Sequence, residues 1–321
     1  MIECLCGLAI GFIFAPIVHE LGHVFFAARA GMETLYVKCF CFAFERACDG
    51  KMKFSFRSPF LDDCTQVTPK FGGDMQKRAC AYTLGGLTFS GVFLLLIAVA
   101  AIILSALGVD FYLLWGSLPY AAYLFLLNVV PAEYASGKTD ALVFSGLKKG
   151  CDAEKNMLTA MEIQGRLYAG NSFAEIPETL YYDAPQLCED EPLFAMTFDL
   201  RYRYHLEKGE LEKAADCLNR LAQSQAYLSD KELEKVAAEL TYMHSLNKDL
   251  PAAEETGKLC QDFLRQENVT AKRVLAAFSA AFAKKDAVAI LLEQAQALLP
   301  CERLLGVRKF EEVLLSRIEK V

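Results

Sequence analysis

One stretch of this 321-residue chain constrains its fold more than any other, because it is long, apolar and uncharged. Residues 80–107 read CAYTLGGLTFSGVFLLLIAVAAIILSAL. A helix needs about 20 apolar residues to cross the hydrocarbon core of a bilayer. Residues 2–30 and 111–130 are also long and apolar. The sequence therefore predicts three transmembrane helices, and a buried helix of a soluble core is the alternative for each.

The basic residues of the loops predict how these helices are oriented. Lysine and arginine are frequent in residues 31–78, absent from residues 108–110, and present again after the third apolar segment. Short cytosolic loops carry an excess of these residues. We therefore expect a multi-pass protein of the cell membrane, with the N-terminus outside and both the 31–78 loop and the C-terminal part in the cytosol.

The first apolar segment contains polar residues that do not suit hydrocarbon. Residues 19–23 read HELGH, and on a helix His19 and His23 share one face because they are four residues apart. Two imidazoles at this spacing can bind one metal ion, and Glu20 can act as general base on water. The alternatives are a hydrogen-bonded core cluster and a secretory signal, although the segment has no basic start and no clear cleavage site.

A catalytic zinc site usually has three protein ligands, so a third is expected elsewhere in the chain. Asp140 lies shortly after the third apolar segment and is the candidate, while Glu133 is the rival. A second interpretation of Asp140 is structural. Either Thr139 or Asp140 can cap the N-terminus of the helix that begins at Ala141.

These motifs together resemble those of the site-2 protease family, the intramembrane zinc metalloproteases. HELGH matches the zinc motif of the family, and residues 85–90 (GGLTFS) resemble the start of its middle core helix. Asn128, Pro131 and Asp140 resemble its second motif, Asn-x-x-Pro followed by Asp-Gly. The chain departs from the family pattern in a longer gap before Asp140 and in Ala141, which stands where the family has glycine.

The resemblance implies a zinc endopeptidase that hydrolyses peptide bonds of membrane-embedded or membrane-edge substrates. It assigns Zn²⁺ to His19, His23 and Asp140, catalysis to Glu20, and substrate positioning to Asn128. The layout is similar to that of compact bacterial members of the family. A membrane protein or membrane peptide is then the substrate, and the lipid bilayer is the surrounding medium.

The loop between the first two apolar segments has the alternation of β-strands. Residues 35–44 and 51–57 alternate aromatic with small or polar residues, and Asp49-Gly50 between them is a hairpin turn signal. Two interpretations stay open. The hairpin only packs on the helices, or it provides a sheet edge that holds an extended substrate by strand addition.

The C-terminal part has the composition of soluble helices. Helix–turn–helix patterns recur near Gly209, Lys248 and Lys285, a spacing that suits tetratricopeptide-like repeats, and a non-repeating bundle is the alternative. The predicted fold class is therefore mostly α. Residues 1–150 form a three-span helical core with a small β-hairpin-containing loop, and residues 151–321 form a soluble all-α domain that suits a cytosolic protein partner.

Charge and cysteine content narrow the function classes. The net charge of −7, without a basic stripe, argues against nucleic-acid binding. Twelve scattered cysteines without a C-x-x-C motif predict free, mostly buried thiols rather than a disulfide scaffold or a second zinc site. One alternative to the protease is a catalytically idle, membrane-anchored scaffold that binds a partner through its helical repeats. Another is a metal transporter, against which the small number of spans argues.

Overall fold

A computed structural model describes residues 2–47, 50–59, 63–109, 111–134 and 137–319. The chain is mostly helical and divides into two compact units, Met1–Glu154 and Lys155–Val321. The sequence placed the boundary at residue 150. The candidate site lies in the first unit.

Three long apolar helices form most of the first unit: α1 (Ile2–Arg29), α2 (Met75–Ala106) and α3 (Tyr112–Val129). Each is long and apolar enough to cross a membrane. The predicted spans are therefore confirmed as helices of membrane-spanning length, while their orientation stays a prediction. A shorter helix, α4 (Asp140–Lys149), follows α3 and packs against α2 and α3.

Helix α2 begins earlier than the predicted span because Arg78 in its first turns has partners of its own. The guanidinium of Arg78 donates hydrogen bonds to the carbonyl oxygens of Ala30 (2.6 Å), Gly31 (2.7 Å) and Phe71 (2.7 Å). It also lies 4.2 Å from the centroid of the Phe71 ring. This arginine ties the start of α2 to the end of α1, so a buried charge near the apolar run is satisfied.

Small residues bring α1 and α2 together beside the HELGH motif. A Cβ on Gly22 would overlap the carbonyl oxygen of Gly85, and a Cβ on Gly85 would lie 2.5 Å from the carbonyl oxygen of Gly22. The two backbones are thus in contact, as is common where small residues line helix interfaces in membranes. This contact places residues 19–23 of α1 against residues 86–90 of α2.

A four-stranded antiparallel sheet fills the loop between α1 and α2. Its strands are β1 (Met32–Cys39), β2 (Phe42–Arg46), β3 (Met52–Phe56) and β4 (Cys64–Pro69), in the order β3–β2–β1–β4. Strands β2 and β3 form a hairpin with Phe44 opposite Phe54. Asp49 of the predicted turn lies outside the described residues. A second, two-stranded ladder, β5 (Glu133–Tyr134) and β6 (Gly137–Lys138), connects α3 to α4.

The prediction of one strand across residues 35–44 is wrong, because the chain reverses at Phe40. Cys39 pairs with Phe42, so the turn has two residues. Phe40 has a φ of 54°, the left-handed conformation that two-residue hairpin turns favour. Asp63 accepts a hydrogen bond from the backbone N–H of Phe40 at 2.8 Å. The aromatic alternation continues through this turn, so periodicity does not reveal it.

In its described residues, the second unit has helices as its only regular secondary structure. After α5 (Asp152–Ala169), which crosses the unit boundary, it contains α6 (Thr179–Tyr182), α7 (Pro192–Lys208), α8 (Leu211–Gln223), α9 (Asp230–Leu246), α10 (Leu250–Leu259), α11 (Gln261–Leu264), α12 (Val269–Ala281), α13 (Lys285–Leu298) and α14 (Leu305–Ile318). Three successive pairs, α7–α8, α9–α10 and α12–α13, pack as helical hairpins. Their turns contain left-handed residues at Gly209, Lys248 and Ala283. The tetratricopeptide-like character of this unit stays a prediction.

A charged network lies inside the apolar core of the second unit. Arg273 is fully buried and donates hydrogen bonds to Glu239 and Glu311, each at 2.7 Å. Tyr202 donates a further hydrogen bond to Glu239 at 2.7 Å. Burying such charges costs free energy unless every partner stays in place, so this network is sensitive to substitution.

His205 on α7 contacts Tyr182 of α6 and Glu210, which precedes α8. It has no metal-binding neighbours among the described residues. Its Nδ1 lies 2.7 Å from Glu210 Oε2, and its Nε2 contacts the Tyr182 hydroxyl. The hydrogen bond with His205, and next that from Lys213, lower the pKa of Glu210 to about 2.

All eleven cysteines in the described part of the chain are free thiols. Four are buried, three are half-buried and four are exposed, so burial is less general than the sequence predicted. The exposed ones are Cys6, Cys151, Cys188 and Cys301.

Candidate metal centre

Three side chains of the first unit converge on one point. His19 Nε2 and His23 Nε2 are 3.2 Å apart, and Asp140 Oδ2 lies 3.4 Å from the first and 3.3 Å from the second. All three side chains are largely buried, with exposed fractions of 9%, 7% and 17%. The rival carboxylate, Glu133, is exposed on β5. The three predicted ligands are thus brought together, and Glu133 is not among them.

The three distances suit a tetrahedral cation. At metal–ligand bond lengths near 2.0–2.1 Å, two ligand atoms on a tetrahedral zinc ion lie about 3.3 Å apart. The triangle in the structure has edges of 3.2, 3.3 and 3.4 Å. Two imidazoles and one carboxylate also form a donor set found in catalytic zinc sites, which keep a fourth position open. The residues present therefore fit zinc.

Hydrogen bonds on the far side of each imidazole support this fit. His23 Nδ1 lies 2.9 Å from the carbonyl oxygen of Tyr82, so Nδ1 carries the ring hydrogen. The lone pair of Nε2 is then available to a metal ion. His19 Nδ1 lies 3.0 Å from Ser90 Oγ. Asp140 Oδ2 is buried and accepts no hydrogen bond from the described residues. Lone pairs that converge in this way need a cation or a shared proton between them, and such second-shell bonds are usual for metal-binding histidines.

Gly86 on α2 leaves the room that an ion requires. A Cβ at this position would overlap Nε2 of His23 and would lie 2.6 Å from Cε1 and 2.8 Å from Nε2 of His19. Any other residue would therefore push against both imidazoles. The GGLTFS stretch pointed to this helix through the family resemblance, but its direct contact with the histidines follows only from the packing of α1 on α2.

Thr139 and Asp140 have separate roles at the start of α4. Thr139 is the N-cap, and its Oγ1 accepts a hydrogen bond from the backbone N–H of Leu142 at 3.4 Å and donates one to the carbonyl oxygen of Val130 at 2.9 Å. Asp140 is the first helical residue, so its carboxylate is free to face the two imidazoles. The positive end of the helix dipole also favours a carboxylate here.

Glu20 lies beside the cluster without belonging to it. Its Oε2 accepts a hydrogen bond of 2.5 Å from the hydroxyl of Thr65 on β4. The carbonyl oxygen of Thr65 in turn accepts a hydrogen bond of 2.6 Å from the Tyr82 hydroxyl. The Glu20 carboxylate is therefore positioned by a strand and a second helix. No pattern in the sequence marks Thr65 or Tyr82, because each reaches the site only through the fold.

The cluster opens into a cavity of about 400 Å³. Its walls include the three converging side chains and Glu20, together with Thr65, Tyr82, Asn128, Tyr134 and Lys138. Asn128, predicted to position substrate, lies in the wall on α3, where its Nδ2 donates a hydrogen bond to the carbonyl oxygen of Leu124 at 3.2 Å. These polar groups make the cavity suitable for water.

A buried ion pair borders the cavity on the side of the sheet. Lys38 is only 2% exposed, and its Nζ lies 2.8 Å from Oδ1 of Asp63, a wall residue. Burial, and next the charges of Asp63 and Glu20, raise the pKa of Cys39 to about 11. The Cys39 thiol is not among the ligand atoms that converge with those of His19 and His23.

Comparisons of the chain with protein-family models, with curated proteins and with solved structures gave no match. The function is therefore inferred from the site itself.

Proposed function

We propose that the chain is an intramembrane zinc endopeptidase that hydrolyses peptide bonds of membrane-embedded or membrane-edge substrates. The observation that carries this proposal is the triangle of His19 Nε2, His23 Nε2 and Asp140 Oδ2, with edges of 3.2, 3.3 and 3.4 Å. Glu20 lines the same cavity. The arrangement agrees with the resemblance of these motifs to the site-2 protease family.

The position of the cluster along α1 supports an intramembrane site. At about 1.5 Å per residue, His23 and His19 lie about 9 Å and 15 Å from the end of α1 at Arg29. In a helix that crosses a hydrocarbon core about 30 Å thick, these depths lie below the headgroups, on the side of the sheet. With residues 31–78 in the cytosol, as the basic residues indicate, the cavity lies nearer the cytosolic face of the cell membrane.

The residues divide the chemistry of hydrolysis among them. A zinc ion bound by the triangle would supply Lewis acidity at its open coordination position. Glu20 takes a proton from the water that attacks the scissile carbonyl carbon and delivers it to the nitrogen of the departing amine. Thr65 holds Oε2 of Glu20 by its hydrogen bond, so Oε1 is left for the proton. The products are a carboxylate and an amine, and Glu20 is regenerated.

The sheet offers a way to present the substrate. A transmembrane helix hides its peptide groups in its own hydrogen bonds, so a segment must unwind before its carbonyl group can react. Strand β4 is an edge of the sheet and carries Thr65, the partner of Glu20. An unwound segment can pair with an open edge through backbone hydrogen bonds and be held in place. Asn128 on α3 then contacts the same segment within the cavity.

The proposal is tested by replacing Glu20 with glutamine. The purified wild type should carry about one zinc ion per chain, as a three-ligand site implies, and should cleave a model transmembrane peptide. Glu20→Gln should carry the same zinc and lose a factor on the order of 100 to 10,000 in cleavage rate. Glu133→Gln, which removes an exposed carboxylate from β5, is the matched control and should keep both properties.

Two outcomes would decide against parts of the proposal. A Glu20→Gln chain that cleaves at the wild-type rate would refute the mechanism. A wild type that binds zinc but cleaves nothing would favour the catalytically idle, membrane-anchored scaffold. Asp140→Asn should lower zinc occupancy, and full occupancy in that variant would exclude Asp140 as the third ligand and make Glu133 the candidate.

A further inference from the structure

The second unit contains a cavity of its own, of about 500 Å³, which the proposed hydrolysis does not use. Helices α7 and α9 are the first helices of two successive hairpins. Each lines the cavity with a row of residues on one face. Asp199 and Arg203 of α7 line it, as do Glu232, Val236 and Glu239 of α9. Residues three or four apart share a helix face, so these rows are continuous surfaces. The volume is that of a typical ligand site.

One part of the cavity wall is apolar. It is formed by Met196, Leu218, Leu221, Val236 and Phe263. Leu218, Leu221 and Phe263 belong to the core of the unit and are at most 6% exposed. The core packing therefore holds these side chains in place. This part of the wall suits an aliphatic or aromatic side chain.

The remainder of the wall has more acidic than basic groups. The charged residues are Asp199, Glu232, Glu239 and Glu302 against Arg203 and Lys235. Acidic residues also outnumber basic ones in the whole of residues 155–321. A positively charged ligand is favoured by such a wall, and a negatively charged one is repelled.

Three of the four carboxylates already have partners within the unit. Asp199 Oδ2 lies 2.8 Å from Nε of Arg203. Glu232 accepts hydrogen bonds from the backbone N–H and the hydroxyl of Ser229 at 2.8 and 2.6 Å. Glu239 lies in the buried network of Arg273 described above. These groups shape the wall but are not free to bind.

Glu302 is different. Within the described part of the chain, its carboxylate forms neither a hydrogen bond nor a salt bridge. Burial, and next the charge of Glu311, raise the pKa of Glu302. The charges of Arg203 and Arg308 act in the opposite direction and offset this only in part. A further cation that arrives with a ligand therefore stabilises the carboxylate.

We propose that this cavity binds a peptide segment in which an arginine or lysine lies beside an apolar side chain. The basic group pairs with Glu302, and the apolar side chain packs against Leu218, Leu221 and Phe263. A peptide supplies both chemistries at neighbouring positions, and surfaces built from successive helical hairpins commonly hold extended segments. The proposal specifies which side chains the expected cytosolic partner would present to this cavity. It holds whether or not the first unit is a protease.

The test uses the full-length chain in detergent with Glu20→Gln, so that no probe is hydrolysed. The probe is a library of N-acetylated, C-amidated hexapeptides randomised at every position. Selection should enrich arginine or lysine next to leucine, methionine or phenylalanine. The Glu302→Gln variant should bind the selected peptides about tenfold more weakly, near the lower end of what close charge pairs contribute at interfaces.

Two charge changes at the cavity make the test sharper. Glu302→Lys should reverse the preference, so that aspartate or glutamate is enriched in place of arginine or lysine. Lys235→Glu, a change at an exposed wall residue, should strengthen the original preference and gives an answer even if Glu302→Lys does not fold. Glu293→Lys is the matched control, because Glu293 is exposed on α13 away from the cavity wall. It should leave the preference unchanged.

Several results would overturn the proposal. These are a selection that enriches no residue type, one that enriches acidic residues in the wild-type cavity, and a basic preference that Glu302→Gln and Lys235→Glu both leave unaltered. Displacement of the selected peptides by butylguanidinium as completely as by unlabelled peptide would show that the cavity takes a small organic cation, and the peptide proposal would fail.

Discussion

Replacing Gly86 by alanine tests the proposed metal centre without removing any of its three candidate ligands. The new Cβ would overlap His23 Nε2 and lie 2.6 Å from His19 Cε1, whereas carbon atoms in van der Waals contact are about 3.5–4.0 Å apart. The two rings must therefore move by about 1 Å to reach a normal contact distance. Each is held by a bond at Nδ1, 3.0 Å to Ser90 for His19 and 2.9 Å to Tyr82 for His23. Moving the rings breaks these bonds.

The expected loss of zinc affinity follows from those two bonds. Loss of one second-shell partner typically lowers metal affinity by about 10–100-fold. Because the Cβ displaces both rings, the combined loss is about 100–10,000-fold. The assay is competition for zinc with a chromophoric chelator in detergent, together with the zinc content and the thermal unfolding midpoint of each protein.

Two further variants make the interpretation clear. Gly91→Ala lies on the same helix, and the nearest atoms to its Cβ would be those of the Phe125 side chain, at 3.2 Å, so zinc affinity should be unchanged. Ser90→Ala adds no bulk and removes only the partner of His19, so it should lower affinity by about 10–100-fold. If folded Gly86→Ala protein bound zinc as tightly as the wild type, the metal would not lie between the two histidines, and the reasoning from this geometry would be refuted.

Three other predictions concern stability and topology. Arg273→Met leaves two buried carboxylates without their cation and should lower the free energy of unfolding by about 3–5 kcal/mol in chemical denaturation; a loss below about 1 kcal/mol would contradict the network. The hydrogen bonds with His205 and Lys213 lower the pKa of Glu210 from 4.5 to about 2, so the stability they provide is present above pH 4.5 and is lost as the pH falls towards 2. Glu210→Gln should therefore flatten the fall of the unfolding midpoint in that window, and parallel curves would contradict this. Reporter fusions at Val109 and after Lys149 should report the outside and the cytosol respectively, and an external signal from the second would overturn the orientation.

The lengths and types of the main helices could be predicted because they depend on local sequence. An uncharged apolar run long enough to cross a bilayer has few alternatives to a helix, so α2 was predictable to within a few residues at its N-terminal end. The spacing of His19 and His23 placed both on one face of α1, since four residues are close to one helical turn. Helical patterns in residues 151–321 likewise marked turns near those at Gly209 and Lys248.

The sheet shows where local patterns were not sufficient. The reversal at Phe40 carries no glycine or asparagine and interrupts no alternation, so nothing in residues 35–44 distinguishes one strand from two. The turn is stabilised by Asp63, which is distant in sequence. Strand β4, which positions Glu20 through Thr65, was likewise not predicted, because its pairing with β1 is a long-range contact.

The sequence by itself therefore determined the apolar helices, the shared face of the two histidines, and the residue types that could complete a metal site with them. Only the tertiary structure brought Asp140, and not Glu133, to those histidines, placed Gly86 where a side chain would fill the site, and set Thr65 against Glu20. The physical reason is the range of the interactions. Helix formation and its periodicity depend on neighbours within a turn or two. The triangle of His19, His23 and Asp140, with edges of 3.2–3.4 Å, depends on how distant helices pack together.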